Sequence, residues 1–156
     1  MKKLSKLLVS ILICEGVGIL GSVFTFTQIA TWYVHLNKPF FSPPNFVFGP
    51  VWTVLYALMG ISIFLIYEAK ISKNEKHLLL KLFGFQLVLN FLWSVLFFGM
   101  HSPWLGFLEI IFLWLTILIL IFKFYKYSKQ ASFLLIPYLF WVSFASLLNF
   151  FIIILN

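Results

Sequence analysis

The sequence predicts an all-α integral membrane protein, a five-transmembrane-helix bundle with a long loop between helices 1 and 2. Three observations carry that prediction. Apolar residues make up 63% of the 156 and charged residues only 10%, with a mean hydropathy of +1.07, which leaves too little polar surface for a water-soluble globule. The apolar residues also fall into long unbroken runs near the ~20 residues that a helix needs to cross a bilayer. Barrel strands would instead alternate over ~10 residues, and an open sheet cannot satisfy its edges in lipid. A chain of this length is one domain, residues 1–156, without room for a soluble catalytic domain.

The approximate spans are 7–26, 46–67, 78–98, 104–122 and 133–155. The first follows Lys2, Lys3 and Lys6 in the manner of a signal peptide. Its apolar run exceeds the ~7–15 residues of a signal h-region, and no small-residue cleavage site follows, so a retained span is expected. Asn37, Pro39, Ser42, Pro43 and Pro44 punctuate the first loop. Lys70 to Lys76, Gly99 to Pro103 and Tyr125 to Gln130 mark the next three breaks. Cys14 is the single cysteine, which excludes an intramolecular disulfide and a cysteine metal site and leaves it a packing role.

The net charge of +7 comes from eleven lysines and no arginine. Lys2, Lys3, Lys6, Lys70, Lys73, Lys76, Lys81, Lys123, Lys126 and Lys129 all fall on one side of a five-span topology, with Lys38 alone opposite. By the positive-inside rule, a bacterial plasma membrane would hold the N-terminus in the cytoplasm and the C-terminus outside. Nucleic acid is not an expected partner, because the basic residues are scattered over short loops and no arginine is present to clamp phosphates or read bases.

Polar, small and aromatic residues inside the spans give each helix a direction. Glu15, Gly18, Ser22 and Thr25 share one face of the first span, and Trp52, Tyr56, Met59 and Gly60 one face of the second. The third carries Gln86, Asn90, Trp93, Ser94 and Phe97. The fourth has Glu109, Leu113 and Thr116, and the fifth Pro137, Trp141, Ala145 and Asn149. Polar groups are costly in hydrocarbon, so these faces turn inward together. Each stripe admits two uses. Gly16, Gly18, Gly21, Ser22 and Ala145 permit close helix approach or ligand contact; Gln86, Asn90 and Asn149 serve interhelical hydrogen bonds or ligand recognition. Trp52 and Trp141 fit a core or a pocket equally. Trp104, Trp114 and Tyr125 fall near span ends or off the stripes, as interfacial anchors or lipid-facing groups. With no basic residue inside any span, Glu15 and Glu109 each need a proton or a hydrogen-bonding neighbour.

The catalytic inventory is thin. His35, His77 and His101 fall in or beside loops, so no metal site is predicted, and neither a Ser/His/Asp constellation nor a phosphate-binding glycine loop is present. A secondary transporter is disfavoured by five spans without inverted repeats.

Over nearly its whole length the chain resembles a known family. The matching residues are Trp32-Tyr33, Leu36, Lys38-Pro39, Phe41, Pro43-Pro44, Phe48-Gly49-Pro50, Trp52, Leu55-Tyr56 and Met59-Gly60. They continue with Gln86-Leu87, Asn90, Trp93-Ser94 and Phe97-Phe98-Gly99, then Glu109 and Trp114. In the last span they are Leu135-Ile136-Pro137-Tyr138, Trp141, Phe144-Ala145 and Leu148-Asn149. On these residues the chain resembles the TspO/translocator protein (peripheral-type benzodiazepine receptor) family of tryptophan-rich sensory proteins, and in particular its bacterial members.

The resemblance implies a five-helix bundle, commonly a homodimer, that acts as a membrane receptor, sensor or carrier. Its ligands would be porphyrins such as protoporphyrin IX or haem, and isoquinoline carboxamide or benzodiazepine-type lipophiles, with no obligatory cofactor. The ligand-binding residues implied are Trp32, Tyr33, Trp52, Tyr56, Asn90, Trp93, Ser94, Trp141 and Ala145, under a first loop stiffened by Pro39, Pro43 and Pro44. An alternative activity, light- and oxygen-dependent breakdown of protoporphyrin IX, would make Trp52 and Trp141 catalytic. A third reading is a structural membrane assembly factor. The cholesterol-recognition pattern of animal members is incomplete: Phe150 stands near its tyrosine position and no basic residue follows Lys129, which argues against cholesterol as a partner.

Overall fold

A computed structural model describes residues 2–156, and the regular structure among them is entirely helical. In chain order it comprises α1 (Lys3–Ile29), 3-10 turns at Tyr33–His35 and Asn45–Val47, and α2 (Phe48–Glu68). There follow α3 (Lys73–Ser94), a π-helical turn (Val95–Gly99), α4 (Pro103–Tyr125), α5 (Lys129–Leu134) and α6 (Ile136–Leu155). Five stretches are long and apolar enough to cross a bilayer: Lys3–Ile29, Asn45–Glu68, Lys73–Gly99, Pro103–Tyr125 and Lys129–Leu155. The chain is therefore an integral membrane protein of five crossings, the last made of α5 and α6.

Helix ends follow caps rather than hydropathy. The Ser72 hydroxyl accepts the Glu75 N–H (3.3 Å), Ser102 that of Leu105 (3.3 Å) and Ser128 that of Ala131 (3.2 Å), each satisfying an otherwise unpaired first-turn donor. Hence α3 begins at Lys73 and α5 at Lys129, ahead of the apolar runs expected at 78 and 133, and His77 lies within α3. The expected fifth span is also divided. Pro137, in the first turn of α6, has no N–H and its ring crowds the preceding turn, so the helix breaks at Leu135. The third crossing ends in a wider turn, where the Met100 N–H bonds the Val95 carbonyl (2.8 Å), and His101 adopts a left-handed φ of 51°.

Around the bundle the crossings run first, second, fifth, fourth, third, with α1 closing on α3. Lipid gives no hydrophobic drive for helices to associate, so close approach and hydrogen bonds must hold the ring together. At Gly60 two backbones meet closely: a Cβ there would lie 2.5 Å from the Ile11 Cα. Gly18 leaves room for the Tyr56 ring, and Gly106 fits between Phe97 and Asn149. Gly16 and Gly84 have open space where a side chain would be, so Gly16 takes no part in close approach within the chain.

Serine hydroxyls add to this. Ser62 donates to the Ala131 carbonyl (2.7 Å), joining α2 to α5, and Ser132 to that of Ile121 (2.8 Å), joining α5 to α4. Trp114, expected to anchor at an interface or face lipid, instead donates its indole N–H to Ser143 on α6 (2.7 Å). Trp104 is 65% exposed, as a lipid-facing or interfacial ring should be. At the lysine-rich end Lys6 pairs with Glu68 (2.8 Å), and the Tyr67 ring lies beneath the ammonium groups of both Lys6 and Lys76.

Gly60→Ala forces the Ile11 backbone outward and is expected to destabilise the detergent-solubilised protein by about 1–3 kcal/mol, the usual range for overpacking. Gly16→Ala meets nothing and leaves the thermal midpoint unchanged or slightly raised. Size-exclusion thermostability profiles of the two variants give the comparison, and equal midpoints would contradict the packing described.

Candidate functional site

At the end of the bundle away from the lysine cluster, α1, α2, α3 and α6 line a partly open cavity of about 710 Å³. Ligand pockets typically occupy ~300–1,000 Å³. Its position follows from how the second and fifth crossings meet. Near the lysine end α2 packs directly on α5. Towards the other end long aromatic side chains bridge the gap to α6: Trp52 meets Trp141 edge to face, ring centroids 6.4 Å apart, and Tyr138 at 6.2 Å.

A directed hydrogen-bond chain starts in the cavity wall and runs into the solid part of the bundle. The Tyr56 hydroxyl donates to Asn90 Oδ1. Asn90 Nδ2 donates to the Tyr138 hydroxyl (2.7 Å), which donates to Gln86 Oε1 (2.9 Å), and Gln86 Nε2 reaches Met59 Sδ (3.7 Å). Tyr56 and Asn90 line the cavity; Tyr138, Gln86 and Met59 lie behind them. A second chain joins three crossings: Trp93 Nε1 donates to Asn149 Oδ1 (3.4 Å), and Asn149 Nδ2 to the Pro103 carbonyl (2.8 Å). Trp141 differs, because its Nε1 is buried and has no partner among the described residues.

The segment from residue 30 to residue 47 lies against the cavity and is tied down at several points. Asn37 N–H donates to Asn156 Oδ1 (2.9 Å), and Asn156 Nδ2 returns a bond to the Asn37 carbonyl (3.0 Å). Lys38 Nζ donates to the carbonyls of Tyr33 (2.8 Å) and Leu36 (3.2 Å), and lies 4.7 Å from the Tyr33 ring centre. Tyr33 is 3% exposed. Burial pushes its phenol above the ordinary range, with the Ser42 hydroxyl partly offsetting this, so Tyr33 keeps its proton. Phe41 sits edge-on to Phe144 and Phe151 of α6.

Eight of the nine residues singled out in the sequence line this cavity: Tyr33, Trp52, Tyr56, Asn90, Trp93, Ser94, Trp141 and Ala145. Trp32 stands outside the lining. It packs edge-on against Phe97 and Phe98 and stacks on His101 (4.7 Å between ring centres), whose Nε2 is 2.7 Å from Gln28 Oε1. His101 carries no spacing signal, since it sits in a three-residue loop. The whole Glu15, Gly18, Ser22 and Thr25 face of α1 lines the cavity. Of the fourth-span stripe, Glu109, Leu113 and Thr116 are buried, yet none reaches the cavity. Neither carboxyl oxygen of Glu109 has a hydrogen-bond partner among the described residues. No cluster of His, Cys, Asp or Glu able to hold a metal occurs among those residues. The arrangement suits a flat apolar molecule: aromatic walls, small residues where it nears the backbone, and few polar groups.

A family model described as the TspO/MBR family matches residues 10–155. Among curated proteins, the tryptophan-rich protein TspO of Archaeoglobus fulgidus is 46% identical over 151 residues, covering 97% of either chain. Its namesake in Chlorobaculum tepidum is 44% identical over 155 residues, 99% of this chain and 98% of that one. The translocator protein of Homo sapiens is 34% identical over 131 residues, 83% of this chain and 78% of its own.

Tyr138→Phe strands both Gln86 Oε1 and Asn90 Nδ2 in the solid part of the bundle. Tyr56→Phe frees only Asn90 Oδ1, beside the cavity. The first is expected to cost about 1–3 kcal/mol and the second clearly less, read as the order of thermal midpoints in one detergent. The reverse order would place the network's weight at the cavity wall.

Proposed function

Since the chain belongs to the TspO/MBR family, we propose that it is a membrane receptor, sensor or carrier whose cavity binds tetrapyrroles such as protoporphyrin IX or haem. Isoquinoline carboxamide and benzodiazepine-type lipophiles would occupy the same space. The observation that carries this reading is the cavity of about 710 Å³ walled by Trp52, Tyr56, Trp93 and Trp141. A planar macrocycle gains most from aromatic ring surfaces of this kind. Segment 30–47 acts as a cover whose prolines lower the entropy lost on closing over a ligand. The lysine-rich end is assigned to the cytoplasm by the positive-inside rule, which puts the cavity towards the outer side.

One observation favours a second reading. Trp52 and Trp141 touch each other and both line the cavity, so a photoexcited porphyrin between the helices would have indoles within electron-transfer reach, with molecular oxygen as the terminal acceptor. Degradation would then follow binding in the same site.

Protoporphyrin IX is expected to quench the tryptophan fluorescence of the solubilised protein saturably. Replacing Trp52 and Trp141 together by Phe should weaken binding about tenfold or less, because the aromatic surface is largely kept. If illumination in air bleaches the bound porphyrin in the parent protein and not in the double variant, degradation is assigned to this pair. Binding without bleaching assigns sensing or carriage. No saturable quenching at all removes the tetrapyrrole reading.

A further inference from the structure

The cavity has a charge bias that its aromatic lining makes consequential. Glu15 is the one charged residue in the lining, and neither lysine nor histidine contributes to it. The chain has no arginine. Lys38, the lysine of segment 30–47, is folded back onto the carbonyls of Tyr33 and Leu36. The ion pair among the described residues joins Lys6 to Glu68 and leaves Glu15 without a cation. Glu15 is half-buried and lies about 21 Å along α1 from Ile29, at ~1.5 Å per residue. One turn onward, the missing side chain of Gly18 brings the Tyr56 ring against α1.

A carboxyl group in a cavity wall shared with tryptophan and tyrosine rings is the chemistry that recognises ammonium ions. The ring faces are electron-rich, and their attraction for a cation grows as water is excluded. A cation entering such a site also supplies the counter-charge that a carboxylate in low dielectric otherwise lacks.

We propose that the cavity accepts lipophilic ammonium compounds, a bulky apolar body carrying one amine cation, with the cation at Glu15 and the body against Trp52 and Trp141. This rests on the reading of the cavity as a ligand site. A porphyrin in the same space must turn its carboxylates away from Glu15, towards the end of the cavity lined by Tyr33 and Asn45. The two ligand classes thus bind with their polar ends in opposite directions.

The test uses a matched pair of probes, 4-(1-pyrenyl)butyl-trimethylammonium and its neutral isostere with tert-butyl in place of trimethylammonium. Both are titrated by tryptophan quenching into the solubilised full-length protein. The quantity read is the cation-to-neutral affinity ratio, compared between the parent protein and Glu15→Gln so that partition into detergent cancels. The ratio is expected to fall about tenfold in Glu15→Gln. It should stay within about twofold in Glu109→Gln, which alters a buried acid outside the cavity. Saturable binding of both probes with an unchanged ratio in Glu15→Gln overturns the ammonium assignment and leaves the tetrapyrrole reading standing. An equal fall in both variants overturns it as well, as a general charge effect. Failure of the probes and of protoporphyrin IX to quench overturns the cavity reading and this inference together.

Discussion

Asn90 is the point on which the interior depends. Hydrocarbon offers no water to satisfy a buried amide, so the side chain must find its partners on other helices. It accepts from Tyr56 on α2 and donates to Tyr138 on α6, which fixes three crossings against one another with a single residue. The location matters as much as the bonding. Below this level, towards the lysines, α2 packs on α5 and the bundle is solid. Above it the link between α2 and α6 passes through long aromatic side chains, and the cavity opens. The network sits at the fork, where a wrong tilt of either helix would collapse the space or split the bundle. Because each member donates onward in one direction to Gln86, no member can rotate without stranding a neighbour.

Much of this was legible in the sequence because lipid simplifies the reading. A helix bathed in hydrocarbon has no use for an outward glutamine, so the stripes Glu15 to Thr25, Gln86 to Phe97 and Trp141 to Asn149 had to point inward, and they do. What stayed hidden is whatever depends on the residue opposite. Gly16 and Gly18 look equivalent in the chain, but the Tyr56 ring stands against Gly18 and nothing stands against Gly16. Trp114 lies off its stripe, and only the position of Ser143 on another helix makes it an interior group. Helix ends escaped hydropathy for a related reason. Ser72, Ser102 and Ser128 act through one backbone donor each, a local bond that average polarity does not register. The split of the last crossing at Leu135 follows from Pro137, which an inward stripe by itself does not set apart from its neighbours.

Segment 30–47 shows how a stretch without a long helix is kept in place at a membrane boundary. Its contacts differ in kind: reciprocal amide bonds between Asn37 and Asn156, the Lys38 ammonium on backbone carbonyls, the Trp32 and His101 stack, and Phe41 against α6. Polar anchors serve at the water-facing edge and aromatic ones where the segment meets the helices. Phe40 is fully exposed, which suits a ring lying at the level of lipid headgroups. Three prolines restrict the segment before any of these bonds form, so less freedom is lost in ordering it.

The same accounting separates groups that build the protein from those left for a ligand. Hydroxyls in the cavity wall are mostly occupied: Ser22 donates to the Ile19 carbonyl (2.7 Å), Thr25 to that of Gly21 (3.4 Å) and Thr53 to that of Gly49 (3.1 Å). Asn90 and Asn149 are engaged in holding helices. Glu15 stays the one charged group of a largely aromatic surface. A cavity with so few uncommitted polar groups selects its occupants first by shape and ring surface. Its one charged group, at Glu15, would then set which way round a polar occupant lies.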